Sequence, residues 1–89
     1  MTYDSKNKLL YNWQRKIKLS YQEHKLLILL SNNTLAKYEE IVEYIYNDTF
    51  EHKGNTLRAL LKRFRDKTNL NIITRRNLGY VMINEIYYK

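Results

Sequence analysis

Eighty-nine residues leave room for one domain, and at that size every large apolar side chain is needed for the core. The absence of cysteine excludes a disulfide scaffold and a thiolate metal site; the longest apolar run, Leu26–Leu30, excludes a membrane-spanning helix, and no secretory stretch is found, so a soluble cytoplasmic protein is expected. Sixteen basic against nine acidic side chains give a net charge of +7, which points toward polyanionic partners.

In chain order, Leu9-Leu10-Tyr11 and Lys16-Ile17-Lys18-Leu19 read as two short strands joined through Asn12–Arg15. The second alternates polar and apolar, as a half-buried strand does. Ser20 with Glu23 three positions on forms a capping box ahead of an apolar run, so a first helix is expected over Tyr21–Ser31. Its core stripe is His24, Leu26, Leu27 and Leu30. Asn32-Asn33 is expected to end it in a left-handed turn. A second helix is expected over Lys37–Tyr46, where Tyr38, Ile41, Val42 and Ile45 recur at helical spacing. Asn47–Asn55 has the composition of a loop.

The third helix is expected from Asn55 or Thr56, either serving as N-cap, to Lys67. At 100° per residue Leu57, Leu60, Leu61 and Phe64 fall within about 100° of arc. The opposite arc carries Arg58, Ala59, Lys62, Arg63 and Asp66, with Arg65 at its margin. Ile72–Arg75 and Gly79–Ile83 flank a polar turn and read as a hairpin. Strands, three helices and a basic hairpin describe an α+β winged helix-turn-helix: a short N-terminal antiparallel sheet, three helices and a C-terminal β-hairpin wing. One domain is expected over 1–89 with its core over about 9–83.

Charge is concentrated in the same region. Residues 53–76 carry Lys53, Arg58, Lys62, Arg63, Arg65, Lys67, Arg75 and Arg76 against Asp66 alone, a balance equal to that of the whole chain. The major groove of duplex DNA admits one helix that buries one face and offers the other. Arg58, Lys62 and Arg63 are long enough to reach base edges or phosphates, with Arg65 and Lys67 adding to the cationic surface. Asn55 and Thr56 at the helix N-terminus can donate to phosphate. Arg75 and Arg76 on a thin turn suit the narrow minor groove. Double-stranded DNA is therefore the expected partner. The same fold also serves as a protein-docking module, and nine tyrosines raise RNA or single-strand stacking. The cationic third helix favours duplex DNA, and most tyrosines are assigned to packing.

Leu19-Ser20-Tyr21-Gln22-Glu23 followed by Leu26-Leu27 and Leu29-Leu30 resembles the opening helix of OmpR/PhoB-type effector domains of response regulators. Thr56-Leu57 and Leu61-Lys62-Arg63-Phe64-Arg65-Asp66-Lys67 resemble the family's recognition helix. Ile72-Ile73-Thr74-Arg75-Arg76-Asn77-Leu78-Gly79-Tyr80 resembles its wing. The resemblance implies a hairpin pairing with a central strand near Thr34-Leu35-Ala36. It implies Arg63 as the main base-contacting residue, Thr74 on the backbone or a base, and Arg76 in the minor groove. Asn77, where the family has glycine, belongs to the same wing contact. The resemblance further implies head-to-tail dimers on direct repeats and a contact between RNA polymerase and the loop 47–55. No receiver domain is expected within the sequence.

No catalytic group is expected. His24 and His52 are the only histidines, no His/Asp/Glu group has metal-ligand spacing, and no glycine-rich phosphate loop occurs, so neither metal nor cofactor is expected. His24 reads as a core histidine and His52 as a solvated loop residue. The acidic residues are assigned to outward faces.

Overall fold

Capping fixes the first helix. In the computed structural model, which describes residues 1–13 and 15–89, α1 spans Tyr21–Asn32. Ser20 Oγ accepts the Glu23 N–H at 3.2 Å, and Glu23 Oε1 accepts the Ser20 N–H at 2.8 Å, which completes the capping box. Leu26, Leu27 and Leu30 are buried. Glu23 does not lie outward with the other acidic residues; it is buried, and the Lys67 ammonium donates to it at 2.9 Å. Burial works against its ionisation, but the Ser20 N–H and Lys67 outweigh burial and hold the carboxyl below its usual range. The helix ends on Asn33 in extended conformation (φ −128°), not in the expected left-handed turn. Asn33 Nδ2 donates to the Leu29 carbonyl and satisfies the helix end in another way.

The second helix, α2, spans Tyr38–Tyr46 and buries Ile41 and Val42. It closes on Asn47, which is left-handed (φ 54°) and donates its N–H to the Glu43 carbonyl. The expected loop 47–55 is absent as such: the third helix, α3, spans Phe50–Thr68, so only Asn47–Thr49 lies between the helices. The N-cap is Thr49, whose hydroxyl accepts the His52 N–H; neither Asn55 nor Thr56 caps the helix. Glu39 on α2 accepts the Phe50 N–H at 3.2 Å. Gly54 and Asn55 look like loop residues, yet both lie inside α3, where the Phe50 ring packs beside Gly54. A Cβ at Gly54 would stand 3.2 Å from the Phe50 ring. His52 consequently lies in the first turn of α3. The helix has 19 residues, a rod about 28 Å long at 1.5 Å per residue, and closes on left-handed Asn69.

Two sheets flank the helices. Strands β1 (Thr2–Asp4), β2 (Leu9–Asn12) and β3 (Arg15–Lys18) form an antiparallel meander, with Tyr3 opposite Leu10 and Leu10 opposite Ile17. In the expected connection Asn12–Arg15, Asn12 pairs with Arg15, Trp13 is left-handed, and Gln14 lies outside the described residues. The second sheet has the order β4 (Ala36–Lys37), β6 (Gly79–Met82), β5 (Ile72–Arg75). This realises the expected pairing of hairpin and central strand. The C-terminal tail leaves the hairpin sheet, and its Ile86 packs against the core. It crosses the molecule as β7 (Tyr87–Tyr88), parallel to β1.

The core lies between the three helices and the inner faces of both sheets. It holds Leu57, Leu60, Leu61 and Phe64 from α3, and Tyr3, Leu10 and Ile17 from the first sheet. Tyr3 carries this core outside the expected 9–83 span. Its hydroxyl contacts His24 Nδ1 at 2.6 Å. Burial first, then Tyr88 and Asp4, pushes the phenol up to about 12. His24 is the half-buried, partnered histidine of this cluster. Desolvation, with Lys8 and Lys25 nearby, lowers its pKa.

Candidate nucleic-acid interface

The geometry is built on α3. Leu57, Leu60, Leu61 and Phe64 point into the core, which leaves Asn55, Thr56, Arg58, Lys62, Arg63, Asp66 and Lys67 exposed. The wing turn lies beside this face. Arg75 and Leu78 close a hydrogen-bonded turn at 2.9 Å, with Asn77 at φ 64°. Asparagine takes that conformation at lower cost than other side chains with a Cβ. Leu78, Arg75 and Arg76 are exposed.

Two adjoining clefts run between α3 and the wing. The larger, about 700 Å³, is lined by Arg58, Thr74, Arg76 and Asn77, and also by Lys37, Tyr38 and Phe50. The smaller, about 420 Å³, adds Lys62, Arg65 and Asp66. Six residues expected from the sequence to touch DNA (Arg58, Lys62, Arg65, Thr74, Arg76, Asn77) are therefore brought together. Arg63 lies five residues from Arg58, about 140° around the axis at 100° per residue. It occupies the other flank of the exposed face, towards Tyr46, whose pKa its charge lowers against the larger effect of burial.

Three expectations change. Asn55 and Thr56 sit inside α3, not at its N-terminus, so the dipole cannot favour phosphate there. The true N-terminus already holds the Thr49 hydroxyl and the Glu39 carboxylate. Asn55 instead accepts a hydrogen bond from Arg58 at 2.7 Å, and the Arg58 guanidinium lies 5.2 Å above the Phe50 ring. Lys67 is turned towards Glu23. Arg65 is half-buried; it donates to Thr74 Oγ1 at 3.1 Å and lies over the Tyr80 ring at 5.7 Å. It links α3 to the wing. Lys37, Tyr38 and Phe50 line the cleft and were missed. Thr49, with Glu51 in the following turn, was the helix-start signal that would have revealed Phe50.

Comparison with known proteins settles the class of this fold. The family described as "Transcriptional regulatory protein, C terminal" matches residues 14–82. The chain belongs to this family. It is an OmpR/PhoB-type DNA-binding domain of a transcription regulator, a class that is not enzymatic. The C-terminal domain of the lantibiotic response regulator NsrR, the nisin resistance regulator, is similar at 31% identity and TM-score 0.67, covering 85% of this chain and 84% of that one. The DNA-binding domain of Bacillus subtilis CssR shares the fold at 23% identity and TM-score 0.73, over 84% of this chain and 90% of its own. That of Klebsiella pneumoniae RstA, solved in complex with the RstA box, does so at 20% identity and TM-score 0.75, over 89% and 86%. The search among curated sequences returned no match. No helix is long and apolar enough to cross a membrane among the described residues.

This OmpR/PhoB-type domain carries its charge in three zones that an overall count conceals. Lys6, Lys8, Arg15, Lys16 and Lys18 lie on the N-terminal sheet and its turns. Glu39, Glu40, Glu43, Asp48 and Glu51 follow along α2 and the start of α3, with no Lys or Arg between residues 38 and 52. The cationic face of α3 and the wing form the third zone.

Proposed function

We propose that this domain binds double-stranded DNA in a sequence-specific manner to regulate transcription, with α3 in the major groove and the wing in the minor groove. The observation that carries the reading is the cleft in which Arg58 and Lys62 from α3 meet Thr74, Arg76 and Asn77 from the wing. Two cationic elements on either side of one concave strip fit a sugar–phosphate backbone passing between two grooves. Arg63, on the flank of α3 away from Arg58, can take a guanine edge bidentately. Arg76, on a three-residue turn, fits the narrow groove. Arg75 adds charge to the wing, and Asn55 acts through Arg58. The match of the RstA domain to its box, on the same fold, supports the partner.

The family resemblance extends the proposal to assembly. The acidic rim of α2 on one copy complements the lysine-rich sheet of the next, which suits head-to-tail pairs on direct repeats. The corner Asn47–Thr49, with the acidic residues beside it, takes the place of the longer loop as the surface offered to RNA polymerase.

Selection of bound sites from random duplexes, followed by mobility-shift titration, tests this. Arg63→Ala is expected to weaken the selected site by roughly 1–3 kcal/mol and to relax preference at one position. Lys62→Ala is expected to flatten the log–log salt dependence by about 0.9 on all sequences alike. An Arg63→Ala protein that binds as the parent does would refute the recognition-helix assignment.

A further inference from the structure

We infer that Tyr38 is the positioning residue that sets the distance between wing and recognition helix, and so lets Arg76 and α3 engage one duplex together. The inference rests on the DNA reading above, and the experiment separates the two.

Tyr38 opens α2, and four contacts converge on it. Its hydroxyl donates to the Arg75 carbonyl at 3.1 Å. Its backbone N–H donates to the Leu78 carbonyl at 3.2 Å. One residue thereby holds the wing turn at both ends, immediately before and two residues after Arg76. Its ring stacks on Phe50, in the first turn of α3, with centroids 4.9 Å apart and planes at 19°. The same ring meets Tyr80 of β6 edge-on at 5.3 Å. Phe50 in turn lies under the Arg58 guanidinium. An unbroken column therefore runs from Arg58 through Phe50 and Tyr38 to the carbonyl that precedes Arg76.

The alternative ties are few. Strand β4 pairs with β6 through only Ala36–Tyr80 and Lys37–Gly79. From α3 itself, Arg65 reaches Thr74 and Tyr80, on the strands and not on the turn. A wing freed at Arg75 keeps its strands in place while its tip moves, and the tip carries the minor-groove arginine.

Tyr38→Phe removes the hydroxyl alone and keeps the stacking and the backbone hydrogen bond. Binding is measured for the parent, Tyr38→Phe, Arg76→Ala and the double variant on a selected duplex. Tyr38→Phe is expected to cost about fivefold in affinity, the worth of one hydrogen bond, and to cost nothing further once Arg76 is alanine. In a Lys62→Ala background the fivefold loss is expected to persist, whereas a general loss of stability would lower affinity equally in the Arg76→Ala and Lys62→Ala backgrounds. Backbone order parameters without DNA supply the second readout. Arg76, Asn77 and Leu78 are expected to fall from about 0.85 towards 0.6 in Tyr38→Phe, with α3 unchanged. Equal losses with and without Arg76, or a turn as rigid as the parent's, would overturn the inference. If the parent retards no duplex, the DNA reading fails, and the order parameters still decide the role of Tyr38.

Discussion

Gly79→Ala is the most demanding test of how the wing is mounted. A Cβ built at Gly79 would stand 1.9 Å from the Ala36 carbonyl oxygen and 2.8 Å from the Lys37 Cα, both backbone atoms of β4. No rotamer relieves a clash with backbone, so β6 must retreat by more than an ångström. Retreat breaks the pairing of Ala36 with Tyr80 and of Lys37 with Gly79 and opens the contact of Tyr38 with Leu78. Overpacking costs about 1–3 kcal/mol and two lost ladder hydrogen bonds about 1 kcal/mol each. The sum of roughly 3–5 kcal/mol is a large share of the stability of a domain this size and corresponds to a fall of some 15–30 °C in Tm. Thermal unfolding followed by circular dichroism measures it. Gly54→Ala is the control, because its Cβ meets only the movable Phe50 ring, at 3.2 Å, and the gain of a helix-forming residue offsets the crowding. Its stability is expected to stay within about 1 kcal/mol of the parent. A Gly79→Ala domain that melts within about 5 °C of the parent would show that β4 and β6 do not approach as closely as described.

Four other outcomes follow from named residues. Lys67→Met keeps the stem but leaves the buried Glu23 carboxylate without its ammonium partner; with Lys67 partly exposed, the expected loss is about 1–2 kcal/mol, read by urea unfolding, and the salt dependence of DNA binding stays unchanged. Glu23 has a lowered folded pKa, so its contribution is complete above the ordinary glutamate value of about 4.3 and is lost as pH falls through the lowered value; Lys67→Met raises the folded value, so the loss on acidification is expected to be smaller and to end at higher pH. His24, also lowered, favours the fold while neutral, so its contribution is present above about 6.5 and declines below it as the unfolded chain takes up protons; an NMR titration is expected to place its midpoint under 6.5. Asn77→Val, at φ 64°, is expected to cost roughly 1–2 kcal/mol, and Asn77→Gly little or nothing; near-equal melting of the two would refute the left-handed turn.

The amino-acid order alone determined whatever depends on neighbours a few positions apart. The Ser20–Glu23 box fixed the start of α1, the spacing of Leu57, Leu61 and Phe64 fixed the buried side of α3, and Asn77 marked the turn of the wing. Helix caps, periodicity and turns act over one to eight residues, so they leave a local trace in the sequence. What the tertiary structure decided involves partners distant in the chain. The start of α3 was hidden because Gly54 and Asn55 look like loop residues and because the Phe50 N–H finds its acceptor in Glu39 of α2, eleven residues back. Lys67 and Arg65 looked like free cations until folding set one against Glu23, 44 residues away, and the other against Thr74 and Tyr80. The strand β7 is too short to show a pattern and exists only because the two ends of the chain meet. A charge count records how many cations there are. Which of them remain free to meet a phosphate depends on the acceptors the fold has already placed beside them.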